Sequence, residues 1–445
     1  MKKHILFFSF ITISCSIFDQ QNIETPYDRV YVALQGLDAV GIVNIESEEV
    51  ERVNIEYNSM GCGNYLSQSE CEVDAGCVWH NMGSMSHCMD SIDECMNLNE
   101  SDCINSEGCD WMMNMCMNSG GSMNMGTHTP HFISIDDINQ YWFVTTITSG
   151  YLGRYNLDTD ELIDNIFVGD SPALISLNEE SKKLYISRMM PMQGMMTGSE
   201  SSLIQEIDYS DPIKMIQSNE YVIGSPAPHG ISINSAGSEV YTVSNTADWF
   251  YKINLLTNYI EGAPLDSNLN NSSNIAVNRL KPIQCLSVND SILFITCSSG
   301  IAYNSYTGEN DTIPGIIQMW NSNTMKLIDN LDFSWNSSPW HLVNSPKNNS
   351  IFVVLSGDNL YPGSAGVVNI QYDDSGLNIL WDNYSELFKT LHGIDITNDG
   401  QLLFVSGRGD GMLHLFDSES GELIKSIELD ENLASIMAGG ISSAY

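Results

Sequence analysis

An all-β fold built from one repeated four-stranded unit is what this sequence of 445 residues predicts. Outside one insert, short β-type runs alternate with Gly, Asn, Asp and Ser turns, and helical periodicity is nearly absent. One opening recurs: PHFISID (130–136), PALISLN (172–178), PHGISIN (228–234), LHGIDIT (391–397) and, more loosely, PWHLVNS (339–345). From His131 to Phe143, Ala173 to Tyr185, His229 to Tyr241, His341 to Val353 and His392 to Phe404 the separation is always 12 residues. A sixth unit, KPIQCLSVNDSILFITC, has a turn two residues shorter and puts Gln284 in the same slot. The period, about 40–57 residues, is that of a propeller blade. The N-terminal VYVALQGLDAVGIVNIESEEVERVNI adds three strands of a further unit, and the C-terminal AGGISSAY aligns with PHGISIN as its fourth. The prediction is a seven-bladed β-propeller closed by N- and C-terminal strands, which removes the exposed sheet edge.

In chain order, residues 1–15 read as a leader. Lys2 and Lys3 precede an apolar run, Ile5 to Ile13, that is too short to span a bilayer. It ends in Thr12-Ile13-Ser14-Cys15, which resembles a bacterial lipobox with Thr in place of the usual Leu. Cys15 is then the lipidation site, and Ser16 after it resembles outer-membrane sorting. A plain cleaved leader gives export as well. Residues 16–27 form a tether, 28–56 the three strands of blade 1, 57–129 an insert, 130–430 blades 2–7, and 431–445 the closing strand. After the leader no stretch reaches 18 apolar residues, so the expected membrane association is through the N-terminal anchor alone.

The insert carries eight of the 11 cysteines in two copies of one pattern. The first is Cys62-x8-Cys71-x5-Cys77-x-Trp79-x8-Cys88; the second is Cys95-x7-Cys103-x5-Cys109-x-Trp111-x4-Cys116. An even count per copy in an exported chain points to two disulfide-stapled modules, units too small to fold on a core alone. A four-cysteine zinc site is the other reading of such spacing. The pattern is similar to plexin-type Cys-rich modules. Cys285 and Cys297 are expected as a disulfide or as two buried thiols.

Charge narrows the function. Against 56 Asp and Glu stand 17 Lys and Arg, a formal net charge of -39 at pH 7. Such a chain does not bind nucleic-acid phosphates or an anionic membrane surface; it attracts cations, and the balance also suits salt adaptation. Carboxylates in turns, such as Asp136-Asp137 and Asp373-Asp374, are expected to be solvated. Asp158-Thr-Asp160 is too short for a calcium loop. No nucleophile elbow, HExxH, P-loop or dinucleotide-binding glycine pattern occurs in a fitting context.

The runs VYTVSNTADWFYKINLLT and LLFVSGRGDGMLHLFDSESGELIKSI resemble the YVTN-type repeats of exported bacterial propellers. Their superfamily includes nitrous-oxide-reductase-like and cytochrome-d1-like propellers. The resemblance covers roughly residues 28–55 and 130–445 and speaks to fold more than to function.

The fold gives the unusual residues an address. The recurring slot stands where each inner strand begins, at the mouth of the central channel, and four of the nine histidines occupy it: His131, His229, His341 and His392. The insert's Met-rich end, with Met123 and Met125, runs into His128 and His131. A second cluster, with Met189, Met190 and Met192, follows a second strand on the same face. Imidazole suits copper, zinc and iron, and thioether sulfur selects Cu(I), so copper is the first metal expected. The resemblance adds that nitrous-oxide-reductase-like propellers hold copper with histidines at this end of the channel. Here there are fewer such histidines and no cupredoxin segment follows, so that enzyme's activity is not carried over. The competing readings are histidines that only serve the repeat and methionines that only make contacts. The leading expectation is an exported, lipid-anchored binding protein whose channel face takes copper, a small ligand or a protein partner. A copper oxidoreductase and a purely structural surface propeller are the alternatives.

Overall fold

The computed structural model describes residues 29–57, 128–169, 171–189, 202–266, 280–304 and 308–444, and the backbone of two hairpins in the insert. Seven antiparallel four-stranded sheets succeed one another along the chain. In blade 1, Arg29–Leu34 pairs with Ala39–Asn44 on one side and with the C-terminal Ala438–Ala444 on the other. The last strand of the chain therefore completes the first sheet, as the repeat alignment predicts. The inner strands, Pro130–Asp136, Pro172–Asn178, Pro228–Ile233, Pro282–Ser287, Pro339–Asn344, Leu391–Ile396 and Ala438–Ala444, pack on one another in cyclic order around the channel. Middle strands are buried on both faces, as in Ser350–Leu355, while outermost strands such as Leu423–Glu428 alternate. The core is divided into apolar clusters that straddle neighbouring blades: Phe294 and Ile317 of blade 5 meet Ile351, Val353 and Val368 of blade 6. No helix among the described residues is long and apolar enough to cross a membrane.

One local device is repeated at every inner strand. The residue before the strand is in the left-handed region although none is glycine: Thr129, Ser171, Ala227, Lys281, Ser338, Thr390 and Met437, with φ between 48° and 53°. Each such residue is strained by on the order of 1 kcal/mol, so the surroundings must over-determine it. Its carbonyl accepts from the first residue beyond the second strand, as in Asn245 N–H to Ala227 and Arg408 N–H to Thr390. Just inside, the ladder shifts register, between Pro130 and Phe132, Pro228 and Ile231, Pro339 and Leu342, and Leu391 and Ile394. The slot residue falls within this bulge, which frees it from strand pairing and re-aims its side chain.

A bulge leaves backbone groups without ladder partners, and a second-strand hydroxyl supplies them. Thr296 Oγ1 accepts from Gln284 N–H of its own blade (3.1 Å) and donates to the Trp340 carbonyl of the next (2.5 Å). Thr145 does the same between Phe132 and Ala173, and Ser406 between Gly393 and Gly439. Ser187 links Leu174 to His229 in this way as well. The glycine after the slot has its own reason. A Cβ on Gly230 would lie 2.6 Å from Gln284 Cα of the next inner strand.

Three sequence expectations need correction or refinement. Asp136 is fully buried at the end of its inner strand and accepts from the Tyr209 hydroxyl (2.7 Å) and the Asn139 side chain (2.8 Å), so hydrogen bonds hold it in place of water. Asp160 ties the N-terminal strand to blade 2, accepting from Arg29 (2.6 Å), Tyr31 (2.9 Å) and Trp142 (3.0 Å). Cys285 and Cys297 sit on the inner and second strands of one blade, and both are free, buried thiols. The ladder pairs Cys285 with Ile295 and Cys297 with Pro282, which rules out their disulfide and leaves the buried-thiol reading.

In the insert, Trp79 faces Cys88 across one hairpin and Trp111 faces Cys116 across the other, so the sequence duplication is matched by a duplicated strand register. The pairing of Cys62, Cys71, Cys77, Cys88, Cys95, Cys103, Cys109 and Cys116 rests on side chains outside the described residues, as does Cys15.

The hydroxyl bridge is directly testable. Thr296→Val keeps the side-chain shape and removes both hydrogen bonds, leaving a buried N–H and a buried carbonyl unpartnered. The expected loss is roughly 1–3 kcal/mol, read from urea unfolding midpoints at unchanged m.

Candidate functional site

The slot histidines converge on the channel axis. Ring centroids of His131 and His229 are 6.0 Å apart, those of His131 and His392 5.8 Å, and those of His341 and His392 4.9 Å. These residues come from blades 2, 4, 6 and 7; blades 2 and 4, and blades 2 and 7, are not neighbours, so their slot residues can meet only near the centre of the ring. Phe132 of blade 2 also meets His341 across the channel, at 5.8 Å. Each of the four histidines is exposed by 5% or less. The two remaining blades with a slot residue leave room or cap a strand. Ala173 is small, and Gln284 Oε1 accepts from Leu342 N–H (2.8 Å). In blade 1 the slot is Gly439, where a Cβ would lie 2.9 Å from both Gln35 Nε2 and the His131 carbonyl.

Burial holds the rings neutral. It lowers His229 below the ordinary imidazole range, and lowers His131 and His392 well below it, with neighbouring imidazoles and the Arg408 charge adding to the effect in the latter two. His341 is pushed down to about 3 by burial and by His229. Neutral imidazole is the metal-binding form. The nitrogens are also short of partners: His131 Nε2, His392 Nδ1 and both nitrogens of His341 are buried without a protein hydrogen bond. His229 is oriented by the Ile283 carbonyl, 2.7 Å from Nδ1. A carbonyl only accepts, so Nδ1 carries the proton and Nε2 the lone pair, the arrangement typical of a metal-ligating histidine.

Two imidazoles sharing one ion through bonds of about 2.0 Å have centroids about 4.5–6 Å apart, and the observed spacings fall in that range. Among the described residues, however, no group of three or more His, Cys, Asp or Glu side chains is arranged to hold a metal ion as it stands.

The other candidates are placed elsewhere. His128 packs edge-on against Tyr57, at 5.2 Å, outside the central cluster, and its Nδ1 is buried and unpartnered. Met189 is partly buried against an apolar cluster containing Ala173 and Leu174. Met123, Met125, Met190 and Met192 lie outside the described residues. A cleft of about 500 Å³ on the same face is lined by Lys281, Trp335, Asn359 and Thr390, among others, and by none of the histidines.

Two residues of the site have no counterpart in the sequence reading. Gln35 donates from Nε2 to His131 Nδ1 (2.8 Å), and Arg408 donates to Gln35 Oε1. Each is the first residue beyond a second strand, hydrogen-bonded through its N–H to a strained lead-in residue, Met437 or Thr390. The available signal was that repeat position, at which Met189 also stands.

The fold and the site define a seven-bladed β-propeller with a buried imidazole cluster at its channel mouth. No family model matches the sequence, and no curated protein sequence does. Solved structures match the fold. A chain of Kuenenia stuttgartiensis hydrazine synthase is 13% identical with a TM-score of 0.53, covering 72% of this chain and 90% of that one. A Bacteroides fragilis protein assigned as a 6-phosphogluconolactonase is 12% identical with a TM-score of 0.51, covering 74% and 90%. The dihydro-heme d1 dehydrogenase NirN is 11% identical with a TM-score of 0.49, covering 94% and 76%. At these identities the likeness concerns the fold alone.

The lowered imidazoles have a consequence for stability. A histidine that resists protonation when folded but not when unfolded contributes nothing adverse above its ordinary value of 6.5. It then destabilises progressively as pH falls toward the folded value of about 3. His341→Leu should therefore lose less stability than the parent between about pH 6.5 and pH 4 in urea titrations. Parallel pH profiles would remove His341 from the acid response.

Proposed function

We propose that this protein is an exported, envelope-anchored binding propeller that holds one copper ion in the imidazole cluster at its channel mouth. The observation that carries the reading is the meeting of buried, neutral imidazoles from four blades on the axis, with His131 Nε2, His392 Nδ1 and both nitrogens of His341 unpartnered. Each buried polar atom without a partner is unfavourable by roughly 1–3 kcal/mol, and a bound ion offsets several at once. His229 Nε2 is the lone pair that the hydrogen bonding already directs away from the backbone, and His341 and His392, with rings 4.9 Å apart, are its fellow ligands. An all-nitrogen site without carboxylate disfavours calcium and magnesium, and the exported, methionine-rich setting favours copper over zinc. The net charge of -39 draws cations to the protein as a whole. Cys15 provides the anchor, and the YVTN-type repeat describes the blades.

Metal analysis tests the reading. After loading with copper and desalting, the parent should retain about one ion per chain, and the His229→Ala/His392→Ala double variant should retain none. A parent that retains no copper overturns it. Redox turnover by the loaded protein would favour the oxidoreductase alternative. For the anchor, Cys15→Ala should move the protein from the detergent phase to the aqueous phase in a detergent partition.

A further inference from the structure

Hydrogen-bond chemistry assigns two of the four imidazoles opposite roles. Arg408 has only donors to offer, so the Gln35 oxygen must face it. The Gln35 amide nitrogen then faces His131 Nδ1 at 2.8 Å, and it too only donates. His131 Nδ1 is therefore an acceptor. In a ring kept neutral by burial, the proton sits on Nε2, the nitrogen that is buried without a partner. His229 is wired the opposite way by the Ile283 carbonyl, with its lone pair on Nε2. One ring thus presents a lone pair and the other an N–H.

The charge around this donor is also unusual. Among the described residues Arg408 makes one side-chain hydrogen bond, to the neutral Gln35 amide, and partial burial alone displaces its pKa, downward, with no carboxylate opposing it. In a chain with 56 acidic and 17 basic residues, a partly buried guanidinium whose side-chain partner is an amide and not a carboxylate stands out. Buried charges are ordinarily paired. Its positive field reaches His131 and His392.

We propose that the channel mouth binds a small oxyanion, of the carboxylate or nitrite class, that accepts from His131 Nε2–H within the field of Arg408. His131 is then an anion donor and not a metal ligand. The inference shares the cluster with the proposed copper but rests on different atoms, and it holds with or without the ion. With copper present, the anion offsets the charge that a cation would otherwise place beside the guanidinium.

Formate and nitrite titrated calorimetrically into metal-free and copper-loaded full-length protein provide the test. The parent should bind about one anion per chain. Arg408→Gln, which removes both the charge and the enforced orientation of Gln35, should weaken binding tenfold or more. Arg408→Lys, donor-only and charged, should stay within about threefold of the parent. Equal anion affinity in Arg408→Gln, or no binding by the parent in either form, overturns the proposal. Copper content is read on the same samples. Arg408-dependent anion binding by protein that retains no copper supports the inference and sinks the copper reading alone. Should Arg408→Gln fail to fold, imidazole ¹⁵N spectra of the parent decide: His131 in the Nε2–H form supports the proposal, and the Nδ1–H form overturns it.

Discussion

The lead-in turn and bulge at each inner strand is the constraint on which the rest of the molecule depends. Seven non-glycine residues accept a left-handed backbone there, held by a carbonyl bonded to the end of the second strand. That single choice does three things. It brings the chain from a blade's outer edge back to the axis, and it disrupts the ladder so that one side chain is released toward the channel. It also leaves backbone groups that Thr145, Ser187, Thr296 and Ser406 bridge from one blade to the next. Strain, closure and site are therefore one local structure repeated around a ring. Backbone strain concentrated at a functional face is a recurring feature of proteins. Here the repeat distributes it so that no single turn carries it.

This arrangement also sets the electrostatics. A side chain released at the bulge enters the axis where strands from all blades exclude water, so whatever stands there must do without a hydration shell. Lysine or glutamate in the slot would be a buried charge facing copies of itself or its neighbours. Imidazole can be neutral there and still offer both a donor and an acceptor. The strongly acidic surface and the neutral mouth are thus compatible. Carboxylates such as Asp136 and Asp395 stand toward the far ends of their inner strands, and at the mouth the Arg408 guanidinium lies among uncharged nitrogen groups.

Much of this was legible in the sequence. The 12-residue spacing located the slot, and AGGISSAY aligned with PHGISIN because the closing strand repeats the same lead-in and bulge. Four histidines at one repeat position implied their meeting on the axis. What stayed hidden was of another kind. Gln35 and Arg408 lie 373 residues apart, and only ring closure makes their blades neighbours. Asp136-Asp137 read as a solvated turn because a pair of acids after a strand usually is one, yet Asp136 is claimed by Tyr209, 73 residues away. Cys285 and Cys297 were open to a disulfide until strand register placed them out of reach of one another. Sequence periodicity reports which residues share a position, whereas hydrogen-bond partners between blades depend on which copies are adjacent.

A repeat also shows where it departs from itself, and blade 1 departs most. Its slot holds Gly439, and a Cβ there would crowd Gln35 Nε2 and the His131 carbonyl. The absent side chain therefore makes room for Gln35, which reaches His131 from the next position of the repeat. Arg408 stands at that same next position in blade 7, on the other side of the closure. A rim with the same slot residue in every blade would present identical nitrogens to the channel. One glycine and one glutamine break that equivalence at the closing blade, so that chemically identical rings take opposite tautomers, with His131 offering N–H and His229 a lone pair. Differentiation of like residues by their second hydrogen bond is what turns a structural repeat into a site with direction.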